Sequence, residues 1–127
     1  METRKTVLIV DDDPTILETA RRLLERDGLR VFVSSQASDA TSCAVQHCPD
    51  LVLIDVNMPV LSGDSLATLF KGHARLSTTP LVLFSSNEEG ALRRMAKAVG
   101  ALGYISKAEM GTGFSRRVLG FLANTGT

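Results

Sequence analysis

Acid, hydroxyl and amine groups stand directly behind short apolar runs in this sequence. Asp11, Asp12 and Asp13 follow VLIV, Asp55 follows LVLI, Ser85 and Ser86 follow LVLF, and Ser106 with Lys107 follow Tyr104 and Ile105. Carboxylates gathered at one place repel one another unless a cation compensates them. Oxygen donors suit a hard divalent ion, and Mg2+ takes few carboxylates while keeping several of its waters. Lys107 adds a further point of positive charge. One carboxylate is then free to attack a phosphoryl group and form an aspartyl phosphate. Magnesium and the lysine would neutralise the phosphoryl oxygens, and a hydroxyl such as Ser85 would hydrogen-bond one of them. Asp13, just before Pro14, has the plainer task of capping a helix.

Those groups share a site only if the apolar runs are strands of one sheet. Five runs recur, at 7–10, 31–33, 51–54, 81–84 and 104–105. The first, third and fourth are continuous rather than alternating, as in strands covered on both faces. Each interval is long enough for a helix and two loops. Ile16, Ala20, Leu23 and Leu24 mark the inner face of the first helix, Glu18 and Arg22 can pair on its outside, and Gly28 ends it. Ser35 is the expected cap of a second helix with a small face of Ala37, Ala40 and Ala44. A third starts near Gly63, after a loop shaped by Pro59. The fourth reaches Val99 with Ala91, Met95, Ala98 and Val99 inward. The fifth carries Phe114, Val118, Phe121 and Leu122, with Gly111 and Gly113 weakening its start. Alternating strands and helices predict one three-layer domain around an open, mostly parallel sheet. Ligands of such sheets bind at the carboxyl ends of the strands, where the acidic and basic residues fall.

Composition narrows the function classes. The chain has 127 residues, 44% of them apolar, and 14 Lys plus Arg balance 14 Asp plus Glu. Zero net charge argues against a domain devoted to gripping nucleic acid. No run approaches the length of a membrane span, and four apolar residues before Asp11 are too few for a secretory signal. A cytoplasmic protein with Cys43 and Cys48 as reduced thiols is expected. His47 and His73 have no partners at ligand spacing and read as solvated. Arg93, Arg94, Lys97, Arg116 and Arg117 could form a modest basic patch on the last two helices. Neither GxGxxG after the first strand nor GxxxxGK[ST] is present, which removes the common nucleotide-binding readings.

VLIVDDDP, LVLIDVNMPVLSG, LVLFSS and GYISK resemble, in order, the four signature stretches of response-regulator receiver domains of two-component signalling. The resemblance covers residues 5 to 122 and leaves 123–127 as a frayed tail or the start of a linker. It implies a flavodoxin-like, doubly wound α/β domain with five parallel strands in the order 2-1-3-4-5 and helices on both faces. It makes Asp55 the phosphoacceptor, with Asp12 a direct Mg2+ ligand, Asp11 acting mainly through bound water, and the Asn57 carbonyl completing the protein ligands. Ser85 and Lys107 match the hydroxyl and lysine that close on the phosphoryl group. Tyr104 matches the aromatic switch residue whose ring turns inward as the hydroxyl moves. The implied phosphodonor is a histidine kinase or phosphotransfer protein, and the implied output is an effector protein or a fused output domain. Such a protein is a regulatory switch that catalyses its own phosphorylation and dephosphorylation.

The chain departs from the family pattern in several places. Ala108 stands where most receivers follow the lysine with a cis proline. A cis bond to a non-proline residue costs about 2.5–4 kcal/mol, so the loop either bears that cost or takes another, trans path. Ser85 replaces the commoner threonine and keeps the hydroxyl. Asn57 and Asn87 occupy positions that tune loss of the acyl phosphate. Two other functions compete: a degenerate receiver serving as a phosphorylation-independent interaction module, and a small aspartyl-phosphate phosphatase. The second would want a carboxylate two residues past its nucleophile, where this chain has Asn57.

Overall fold

Each apolar run becomes a strand of one sheet in the computed structural model, which describes residues 4–58, 63–111 and 113–125. The strands are β1 (Thr6–Val10), β2 (Arg30–Ser34), β3 (Leu51–Ile54), β4 (Leu81–Ser85) and β5 (Gly103–Ser106). All pairings are parallel, in the order β2-β1-β3-β4-β5. The helices are α1 (Pro14–Arg26), α2 (Ala37–His47), α3 (Gly63–Gly72), α4 (Glu89–Val99) and α5 (Phe114–Thr125), and a 3-10 turn spans Lys107–Gly111. This is the doubly wound, flavodoxin-like arrangement that the family resemblance implies, built on the parallel plan that the spacing of the runs predicts.

Period-two alternation explains why the central strands are apolar throughout. Val7, Ile9, Leu51, Leu53, Val82 and Phe84 pack with α1 and α5 on one face. Leu8, Val10, Val52, Ile54 and Leu81 pack with α2 and α3 on the other, and Leu83 meets Leu92 and Ala96 of α4. Every residue of β1, β3 and β4 is buried. Full burial of a Val, Leu or Ile side chain stabilises by about 1.5–3 kcal/mol, so these three strands anchor the loops that leave them.

The local signals hold with exceptions. Asp13 caps α1, accepting from the backbone N–H of Thr15 at 2.9 Å, and Glu18 pairs with both Arg22 and Arg21. Gly28 takes the left-handed conformation, φ +88°, that releases the chain into β2. Ser35 does not cap α2. Gln36 occupies that position without a side-chain bond, while the Ser34 hydroxyl donates to the Gln36 carbonyl. Leu17 joins the buried face of α1, with Ile16 and Leu23 only half-buried. On α4 the buried residues are Leu92 and Ala96, whereas Ala98 is exposed. His47 is not simply solvated: its ring stacks on Phe32 at 3.6 Å, and His73 Nδ1 accepts from the Arg75 N–H. Both thiols are free. Pro59 lies outside the described residues. α5 runs on to Thr125.

Candidate functional site

Strand register assembles the site. Val10 of β1 pairs with Ile54 of β3, so Asp11 and Asp55 leave neighbouring strands side by side, and the Asp55 N–H donates to the Val10 carbonyl at 2.9 Å. Strand order reverses between β1 and β3, which opens the crevice where sheets of this kind bind ligands. On the far side, Ser85 pairs with Ser106, and the next residue is Lys107.

Asp11 and Asp55 are buried and Asp12 is exposed, and carboxylate oxygens of all three lie within 4.8 Å of one another. The Lys107 ammonium sits 2.7 Å from Asp11 Oδ2 and 3.5 Å from Asp55 Oδ2. The other oxygens are held by backbone: Asp11 Oδ1 accepts from the Asp13 N–H at 2.9 Å, and Asp55 Oδ1 from the Asn57 N–H at 3.1 Å. These short Asx turns fix both carboxylates at the strand ends.

Burial pushes the Asp11 carboxyl above its ordinary value, against the pull of Lys107 and the Asp13 N–H. Burial also opposes the charge of Lys107, but contact with Asp11 and the charge of Asp55 outweigh it and hold the ammonium above its ordinary value. The lysine sets the state of the pair, since a 2.7 Å contact favours two charges. One ammonium facing three carboxylates leaves negative charge uncompensated. The buried Asp11 Oδ2 makes no hydrogen bond of good geometry despite its closeness to Lys107. A set of hard oxygens served by a single ammonium, with Asp12 open to solvent, fits a small cation.

Ser85 is fully buried at the end of β4. Its oxygen accepts from the Asn57 side-chain amide at 3.0 Å and from the Asn87 N–H at 3.2 Å. The same Asn57 amide donates to Asn87 Oδ1 at 2.6 Å. Both contacts use the Ser85 oxygen as acceptor, so its O–H remains able to donate. Tyr104 is half-buried on β5, and its hydroxyl donates to Glu89 at 3.0 Å and accepts from Arg93 at 3.3 Å, both on α4.

The peptide bond after Lys107 is trans, like every other among the described residues. The loop takes the second of the two paths open to it, coiling into the 3-10 turn, and Lys107 still reaches both aspartates. Sequence reading missed what holds this loop, a contact between Glu109 and Arg117 at 2.8 Å. It also missed the tether on Tyr104. The i, i+4 spacing of Glu89 and Arg93 was the available signal for the tether, whereas a pair spanning a turn and a helix start leaves none. Arg93 and Arg117 are therefore engaged, not free members of a basic patch.

A family model described as the response regulator receiver domain matches residues 7–113. The chain is 31% identical over 101 residues to Protein PilH of Pseudomonas aeruginosa, covering 80% of this chain and 84% of that protein. It is 32% identical over 103 residues to Response regulator GtcR of Aneurinibacillus migulanus, covering 81% of this chain but only 41% of that protein. A putative response regulator from Chloroflexus aurantiacus superposes with a TM-score of 0.82 at 26% identity, covering 95% of this chain and 99% of the other. The chain belongs to the response regulator receiver domain family. Its aspartate cluster is that of a phosphoaccepting, cation-binding receiver site for phosphorelay signalling, able to catalyse its own phosphorylation and dephosphorylation.

Proposed function

We propose that this chain is a phosphorylation-controlled switch whose sole acceptor is Asp55 and whose donor is a phosphohistidine on a histidine kinase or phosphotransfer protein. A carboxylate oxygen of Asp55 attacks phosphorus, the phosphorus–nitrogen bond breaks, and the imidazole leaves. Water later cleaves the acyl phosphate, returning the carboxylate and inorganic phosphate. The single observation that carries this reading is Asp55 at the end of a central strand, with an ammonium at 3.5 Å and two further carboxylates beside it.

Asp12, Asp55 and the Asn57 carbonyl would hold Mg2+, with Asp11 in support through water. The ion supplies charge neutralisation to the phosphoryl oxygens. Lys107 does the same from the β5 side, and Ser85 turns its free O–H toward one of those oxygens. Moving Ser85 inward vacates space for the Tyr104 ring, which biases the domain between two packings that an effector or a fused output domain would read. The switching unit takes in residues 5–122, and α5 carries the chain past it to Thr125. Cytoplasmic placement agrees with the absence, among the described residues, of any helix long and apolar enough to cross a membrane. No direct contact with nucleic acid is part of this reading.

Acetyl phosphate with Mg2+, followed by intact-mass measurement, tests it. One adduct of about 80 Da is expected on the wild type and none on Asp55→Asn. Equal labelling of the variant overturns Asp55 as acceptor. A wild type that no donor labels moves the phosphorylation-independent interaction module to first place.

A further inference from the structure

Resting on the phosphoacceptor reading, we propose that Glu109 and Arg117 are positioning residues that aim the Lys107 ammonium at Asp11 and Asp55 by locking the loop after β5. Lysine is a point charge on a flexible four-carbon stem, so its ammonium is placed only as well as its backbone is fixed. No proline fixes φ after Lys107, because residue 108 is alanine and its peptide bond is trans.

Side chains do the fixing. The Ala108 N–H donates to Ser106 Oγ at 3.2 Å, and the Ser106 N–H donates to Glu109 Oε2 at 3.1 Å, so the residues on both sides of Lys107 are tied to one another. Glu109 is in turn gripped by Arg117 from α5, whose Nη1 donates to both carboxylate oxygens at 2.8 and 3.1 Å. Arg117 Nη2 donates to the Tyr104 carbonyl at 2.6 Å, and its guanidinium lies 5.6 Å from the Phe121 ring centroid. One rigid, planar fork therefore joins the strand before Lys107 to the turn after it. Losing either partner frees the turn to swing and carries the ammonium away from the aspartates. A small displacement of a charge that stabilises a transition state is expensive in rate.

The alternative is that the pair merely steadies the start of α5. Labelling time courses with acetyl phosphate and Mg2+ separate the two. Glu109→Ala and Arg117→Ala are expected to slow phosphoryl uptake about tenfold, with Arg117→Lys in between because it restores charge without the fork. In a Lys107→Ala background, adding Glu109→Ala should slow uptake no further, since its effect runs through the absent ammonium. Wild-type rates in the single variants, or an undiminished further loss in the Lys107→Ala background, overturn the proposal. Glu109→Gln, nearly the same shape, stands in if Glu109→Ala does not fold. A second readout is independent of phosphorylation: in amide NMR spectra of the metal-free protein, Glu109→Ala or Glu109→Gln should shift the Asp11 and Asp55 signals. Unmoved signals overturn the positioning role, whereas an unlabelled wild type removes only the phosphoacceptor reading and leaves the spectra to decide.

Discussion

Tyr104 donates its hydroxyl proton to Glu89 across 3.0 Å, so the half-buried aromatic ring of β5 is tied to α4. Arg93, one helical turn further along, holds the same oxygen. An inward swing of the ring must give up both contacts. A hydrogen bond of this kind contributes about 0.5–1.5 kcal/mol net. Glu89→Ala should therefore lower the concentration of beryllofluoride, an aspartyl-phosphate mimic, that half-saturates the shift of Tyr104 and α4 amide signals, by about 2- to 10-fold. An unchanged midpoint would mean that the tether plays no part in the switch.

Cation binding should appear as stabilisation. An ion that binds only the folded state raises the unfolding temperature by mass action. Mg2+ should raise it in the wild type, and Asp12→Ala should abolish the rise without lowering the stability of the metal-free protein, because Asp12 is exposed. Thermal melts with Mg2+ and with EDTA check both halves. A full Mg2+ response in Asp12→Ala would place the ion elsewhere.

Asp11 gives a pH dependence of definite sign. Burial raises its folded value above the unfolded one, so as pH rises the unfolded chain loses this proton first and stability falls across that window. In EDTA the wild type should lose ground to Asp11→Asn from the ordinary carboxylate range up to the raised folded value, then hold a constant gap. Urea midpoints of the two proteins across that range measure it. A gap that narrows with rising pH would mean that the Asp11 carboxyl is held below its ordinary value, not above it.

The fold was legible where burial on two faces leaves no choice of residue. β1, β3 and β4 are continuous apolar runs because helices cover both sides, and Asp55 stands out because a charge ends such a run. Helix phase was less readable where side chains are small. Alanines at 91, 96 and 98 offer little contrast, and Leu92 with Ala96, not Ala98, turns inward. Ser35 is a fair cap by residue type, and only the backbone shows that the cap position falls one residue later, on Gln36. The grip of Arg117 on Glu109 and the Tyr104 carbonyl depends on where α5 docks against β5, which no local pattern encodes.

The sheet order has a consequence for biosynthesis. Asp11 emerges from the ribosome well before Asp55, while Lys107 follows the last strand in sequence, which lies at the edge of the sheet. Parallel pairing of distant segments forms slowly, after long loops have closed. A nascent chain that has not yet docked β5 thus displays the acidic residues without their ammonium. The complete site therefore exists only where β5 has docked, because Lys107 is the ammonium that the described residues bring to Asp11 and Asp55.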